Sequence, residues 1–431
     1  MELFSTFFQF LNLILVPLYC FQRFRKSNYF ILFNPCFYLL IAAYLYLTIP
    51  SLLLPQYIEW VNIDYYSSFK SESLQITNIL CNWYVLVFFL FYMQSTDWKV
   101  IPKDGYKPRN ATYQIALFFV VSLLAYFCYL LARYGAFLFS ADRIDALNFY
   151  GKNILRDYKV LSSLHVFLGG IAVIVWRTKN FRWFAVLLVP IFTEFLARGR
   201  TRSLMIVVFS YINYIANSRK TFAKPIIFLG VAYTIFIPIY RAYEGFDGFK
   251  LILEDPQILL FRGLGEIFAT RITTVIAYEE LMYAKNLGIY LMASFLRLFP
   301  IFIYNFLLGD SIDPNQVNYT EMMQEYYNRY YDINWGLAGN IVTESLVYGG
   351  IELAAIGPLI IGGIFWFLNQ SKIHETFPGF IFLCSLLSQL QRIIRSSFYD
   401  SFIILIYVMF SYLLWITLLE QGRKALTIVK K

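Results

Sequence analysis

The sequence predicts an all-α polytopic membrane protein that crosses a lipid bilayer about eleven times, and three observations carry that prediction. Hydrophobic residues make up 59% of the 431 and charged residues only 15%, against roughly 25% charged in soluble domains. The apolar residues fall in blocks of about 15 to 24, long enough to cross a hydrocarbon core of roughly 30 Å as helices. The blocks show neither the polar stripe of a soluble helix nor the period-2 alternation of a membrane barrel. Backbone groups in lipid must be satisfied within their own segment, so each block reads as a helix.

In order, the blocks place helices at 3–21, 29–50, 75–95, 112–134, 159–176, 183–197, 203–217, 225–241, 353–370, 376–394 and 398–419. Basic residues follow every second helix: Arg23, Arg25 and Lys26; Lys99, Lys103, Lys107 and Arg109; Arg177, Lys179 and Arg182; Arg219, Lys220 and Lys224; Arg423, Lys424, Lys430 and Lys431. The positive-inside rule puts all of them in the cytoplasm, with the N-terminus outside and the C-terminus inside. The opening MELFSTFFQF lacks the basic region of a cleaved signal peptide. The net charge of +9 is scattered between apolar blocks, so it implies no nucleic-acid partner. Cys20, Cys36, Cys81, Cys128 and Cys384 lie in apolar blocks without metal-ligand spacing and read as small packing residues. No metal or other cofactor is expected.

Residues 1–431 read as a single integral membrane domain. The connection 242–352, between the eighth and ninth helices, is an outer loop, and loops of such length in compact bundles are usually functional. Its apolar middle, 288–309, contains Arg297 and Pro300. It reads as a re-entrant or interfacial segment, because a further span would export the basic C-terminus.

Arginine is distributed unevenly. The cytoplasmic side of this topology holds 7 Arg and 11 Lys, the outer side 13 Arg and 5 Lys. Guanidinium forms two parallel hydrogen bonds to a phosphate and keeps its charge when partly desolvated, which points to a bound phosphate or other polyanion outside. The sharpest feature is Glu194-Phe-Leu-Ala-Arg198-Gly199-Arg200-Thr201-Arg202. The flanking helices of about 15 residues reach only roughly 22 Å, so Arg198, Arg200 and Arg202 sit at a recessed outer corner where charge needs a partner. Arg392 and Arg395, three residues apart on one helical face, can converge on that cavity. So can Arg143, Arg156 and Arg241, and the loop residues Arg262, Arg271, Arg297 and Arg329. The alternative for each is an ion pair with a neighbouring carboxylate.

The loop continues as NYTEMMQEYYNRYYDINWGLAGNIVTESLVYGGIEL, 318–353. Tyr319, Tyr326, Tyr327, Tyr330, Tyr331 and Trp335 interleave with amides and carboxylates. That mixture suits sugar faces and equally suits a membrane-interface belt. Gly336, Gly339, Gly349 and Gly350 imply tight turns or close backbone approach, and Glu344 lies between them.

These features together resemble the Wzy-type O-antigen polymerases, which join oligosaccharide repeat units in bacterial envelopes. The resemblance rests on the Gly/Arg corner FLARGRTRSLMIVVFSYI and the large outer loop between helices eight and nine. It rests also on the approach GNIVTESLVYGGIELAAIGPLIIGG and the Arg-bearing helix QRIIRSSF. By architecture it covers most of the chain, by motif about 60 residues. It implies a GT-C-like, metal-independent glycosyltransferase in the bacterial inner membrane, with its active site facing the periplasm. Donor and acceptor would both be polyprenyl-pyrophosphate-linked oligosaccharides, and a chain-length regulator protein is an implied partner beside membrane lipid. The growing O-antigen or capsule glycan would move onto the non-reducing end of a new lipid-linked unit.

Such a reaction needs a stabilised pyrophosphate leaving group and a base for the acceptor hydroxyl. Arg198, Arg200, Arg202, Arg241, Arg392 and Arg395 are candidates for the first. A magnesium ion is the alternative, but no outer carboxylate cluster of the DxD kind is present, Asp142 and Asp145 forming only a weak pair. Tyr326, Tyr327, Tyr330, Tyr331, Trp335, Arg297 and Arg329 are candidates to bind glycan. Three residues qualify as base. Glu344 matches the family pattern, with pairing to an arginine as its other role. His165 titrates near neutrality, with an interhelical hydrogen bond as its other role. Glu194 adjoins the arginine corner. The competing functions are an O-antigen ligase and, from another class, a lipid-linked oligosaccharide flippase, whose usual balanced halves are absent here.

Overall fold

In the computed structural model the described residues are 2–27, 34–61, 69–97, 110–140, 265–281 and 339–371, with isolated positions between 170 and 189, at 254, 306–307 and between 390 and 395. Among them every element is helical and no strand occurs. Among the described residues, five helices are long and apolar enough to cross a membrane. In chain order the elements are α1 (Glu2–Ser27), α2 (Pro35–Ala43), a π-helical turn (Tyr44–Thr48), α3 (Ile49–Val61), α4 (Ser71–Gln94), α5 (Asn110–Ser140), α6 (Gly265–Ile276), a second π-helical turn (Ala277–Leu281) and α7 (Ile341–Gln370). The chain divides into two compact units, one of residues 1–98, 238–371 and 390–403, the other of 99–237, 372–389 and 404–431.

In the first unit α4 is central and packs against α1, α2 and α7. Lipid removes the hydrophobic driving force between helices, so polar pairs and close backbone approach hold them together. Asn12 donates to the Asn82 carbonyl at 2.9 Å, and Asn78 to Ser5 Oγ at 2.6 Å, joining α1 to α4. The opposite face of α1, with Phe4, Phe7, Phe10, Leu18 and Phe21, is exposed, as suits a lipid-facing helix. Gly357 and Gly362 bring α7 onto α4: a Cβ on the first would meet the Tyr84 hydroxyl, and on the second the Phe91 ring.

Asn34 caps α2 by accepting the N–H groups of Cys36 and Phe37 at 2.9 and 3.3 Å, with Pro35 at the first helical position. The π-helical turn between α2 and α3 precedes Pro50, which has no N–H to continue the α ladder.

One end of this unit is closed by a polar knot. Arg23 Nε meets Asp97 Oδ2 at 2.9 Å, its Nη1 and Nη2 donate to the carbonyls of Tyr92 and Ser95, and it lies over the Tyr92 ring. Asn34 donates to Ser95 Oγ at 2.7 Å, and Asn369 Oδ1 accepts the Thr96 N–H at 2.9 Å. The ends of α1, α4 and α7 and the start of α2 therefore lie together.

The helix expected at 353–370 differs from the sequence reading. It begins at Ile341 rather than 353, so residues 341–352, expected as loop, are helical. Asn340 caps it by accepting the N–H groups of Val342 and Thr343 at 2.9 and 3.0 Å, and helical dihedrals are lost only at Gly349 and Gly350. Gly350 has φ 66° and ψ −158°, a conformation essentially reserved for glycine. The polar residues and this break lower the local hydropathy and hide the helix. Residues 265–281, inside the same expected loop, are helical too, and α6 packs against α3, α4 and α7.

In the second unit α5 spans 31 residues. Gly170 lies against Val120, and Arg177 donates to Asn110 Oδ1 at 2.7 Å.

Candidate functional site

The other end of the first unit carries a buried polar layer, built where α6 meets α3, α4 and α7. α6 is covered on all sides: Phe268, Ile272, Val275 and Ile276 are buried, and so are Thr270, Arg271, Thr273 and Thr274. The Phe268 ring stacks on Tyr57 of α3 at 4.5 Å and 11°. The threonines bond back along their own helix, Thr273 Oγ1 donating to the Thr270 carbonyl at 2.7 Å, so they remain satisfied without water.

Two stitches join α6 to the start of α7. Asn340 Nδ2 donates to the Thr270 carbonyl at 2.7 Å and to Thr274 Oγ1 at 2.8 Å. The hydroxyls of Thr274 and Thr343 share a hydrogen bond of 3.0 Å. Asn340 thus caps one helix and clamps another with a single amide. On the α4 side, the Tyr84 hydroxyl and Ser345 Oγ lie 2.7 Å apart, and Lys70 N donates to Glu279 Oε1 at 2.9 Å.

Each stitch sets a charged side chain beside it. Glu344 follows Thr343, is 5% exposed, and acts electrostatically on Tyr84. Arg271 follows Thr270 and is 1% exposed. Its Nε donates to Ser51 Oγ at 2.9 Å and its Nη2 to the Leu74 carbonyl at 3.4 Å, a long contact. Burial pushes the guanidinium below its ordinary value, opposed by Cys81, yet arginine stays protonated in proteins. The layer therefore holds a cation and a carboxylate in a medium of low dielectric, where charge acts strongly on a reacting group.

No family model, curated protein or solved structure matches the chain.

Of the residues singled out from the sequence, Glu344 lies in this layer. Arg395 is helical and partly buried in the same unit. His165, Glu194, Arg198, Arg200, Arg202, Arg241, Arg297, Arg329 and Arg392 lie outside the described residues, as do Tyr326, Tyr327, Tyr330, Tyr331 and Trp335. Arg271 entered the sequence reading only as one of several loop arginines. Its signal was present in GEIFATRITTVI, where Phe268 and Val275 share its helical face, the mark of a buried arginine.

Proposed function

We propose that the chain is a Wzy-type glycan polymerase: a GT-C-like bundle of about eleven spans in the bacterial inner membrane, working at its periplasmic face. The observation that carries this is that a buried carboxylate, Glu344, and a buried guanidinium, Arg271, occur in one polar layer of an apolar bundle. Intramembrane ionisable groups are costly and mark functional sites.

In this reading Glu344 takes the proton from the acceptor sugar's hydroxyl. The hydroxyl oxygen bonds to the donor's anomeric carbon as the bond from that carbon to the pyrophosphate breaks. The departing polyprenyl pyrophosphate takes the electron pair, and arginines balance its charge. The positions of Asp97 and Asn340 at opposite ends of the first unit support the five spans expected between them.

A second reading, a lipid-linked oligosaccharide carrier, is favoured by one observation: α7 is broken at Gly349 and Gly350, and discontinuous helices line carrier sites. Deleting the gene in its host and separating the envelope polysaccharide on a gel tests both. A polymerase leaves core plus one unit without a ladder, restored by wild type and not by Glu344→Gln. A carrier or ligase leaves bare core, and an unchanged ladder refutes all of them.

A further inference from the structure

Among the described residues of the first unit, Arg23 and Arg271 are held differently. Arg23 spends its donors on Asp97, Tyr92 and Ser95 and rests on an aromatic face. Arg271 is the more deeply buried, yet among the described residues no carboxylate ion-pairs with it. Its Nη1 is buried without a hydrogen-bond partner among the described residues. A guanidinium has five N–H donors in a fixed plane. Ser51 takes the Nε donor and Leu74 one on Nη2. The end-on edge, formed by Nη1 with the second Nη2 proton, is left over, and it is the edge that grips two oxygens of one anion in parallel.

We propose that Arg271 is a binding residue for a phosphate-class oxyanion, gripped end-on through Nη1 and Nη2. Leu74 lies in the first turn of α4, whose N-terminal dipole favours negative charge. α4 is long and apolar enough to span a membrane, and lipid phosphates lie at the ends of spanning helices. Glu344 lies in the same layer, reached through Thr270, Asn340 and Thr343. An anion on Arg271 therefore lies on the side of the unit where the acceptor hydroxyl would meet its base. The biological source, a polyprenyl pyrophosphate, rests on the polymerase reading; the binding itself does not. An anion held by the folded layer and not by the unfolded chain raises stability, so binding is read as a gain in melting temperature.

The test uses the full chain in phosphatidylcholine nanodiscs, as wild type and as Arg271→Gln, Arg271→Met and Arg23→Gln. Each is titrated with inorganic pyrophosphate and with short-chain polyprenyl pyrophosphate, then repeated in nanodiscs containing phosphatidylglycerol. Thermal unfolding and equilibrium binding are measured. Wild type and Arg23→Gln are expected to gain melting temperature with a pyrophosphate probe, and Arg271→Gln to bind about a hundredfold more weakly, as loss of two charge-assisted hydrogen bonds implies. Arg271→Met should melt no lower than unliganded wild type, since it removes a buried charge, whereas Arg23→Gln should melt lower. Stabilisation only by phosphatidylglycerol, lost in Arg271→Gln, supports the oxyanion site with a membrane lipid as its source. Equal stabilisation of wild type and Arg271→Gln, or none of wild type by any probe, overturns the proposal. Arg271-dependent binding with an unchanged ladder in the deletion strain keeps the site and rejects the polymerase.

Discussion

Arg271 Nε donates to Ser51 Oγ across 2.9 Å and 220 residues of sequence, fixing a charged side chain from α6 against the rod of α2 and α3. Ser51 Oγ itself donates to the Leu47 carbonyl at 2.6 Å, inside the π-helical turn that Pro50 forces. The irregularity in one helix therefore orients the arginine of another. Replacing Ser51 by alanine strands a buried N–H, a cost of about 1–3 kcal/mol. Ser51→Ala should melt below wild type in detergent, and the drop should shrink in an Arg271→Met background, where no guanidinium remains to satisfy. An equal drop in both backgrounds would show that the two residues are not coupled.

Asn340 is expected to be among the most sensitive positions of the layer. Asn340→Ala removes the cap of α7, about 1 kcal/mol, and also the clamp on Thr270 and Thr274. Asn340→Asp retains an acceptor for the Val342 and Thr343 N–H groups but loses the donor. Thermal unfolding should rank wild type above Asn340→Asp and Asn340→Asp above Asn340→Ala.

The contact of α7 with α4 gives a compensating pair. A Cβ at Gly357 would run into the Tyr84 hydroxyl, while its next neighbours, Ser345 Oγ and Tyr84 Cζ, would be at 3.2 and 3.4 Å. Gly357→Ala should therefore destabilise wild type by roughly 1–3 kcal/mol and do so much less in a Tyr84→Phe background. Chemical-denaturant unfolding of the four proteins gives the coupling directly.

Two glycines of α7 should respond in opposite directions. Gly350 has positive φ, so Gly350→Ala strains the break by about 1–3 kcal/mol and should also lower activity. Among the described residues a Cβ at Gly363 meets only Phe91 Cζ, at 3.9 Å, so Gly363→Ala should be neutral or stabilise by up to about 1 kcal/mol. Parallel melting curves check both.

The sequence revealed those parts of the fold that depend on apolar length. The block at 75–95 became α4, and 3–21 became α1, extended to Ser27 because Arg23 finds partners at its end. The start of α7 was hidden because Asn340, Thr343, Glu344 and Ser345, with the glycine pair, make a buried helix look like a polar loop. α6 was missed for a related reason. Its 12 residues cannot span a bilayer, and its burial depends on α3, α4 and α7, which lie far away in the sequence. Glu344 was legible as a candidate because a carboxylate among glycines before an apolar helix stands out locally. Arg271 was legible only as one of several loop arginines, because its unmatched set of donors is a property of its neighbours in space.

The central claim is that the layer containing Glu344 and Arg271 transfers glycan between lipid-linked units. The most direct measurement supplies the purified chain in nanodiscs with a polyprenyl-pyrophosphate-linked repeat unit from its host and sizes the products on a gel. The account predicts a ladder of multiples with wild type and only the single unit with Glu344→Gln at equal folded protein. A ladder of equal extent with Glu344→Gln, or no product longer than one unit with wild type, would contradict it.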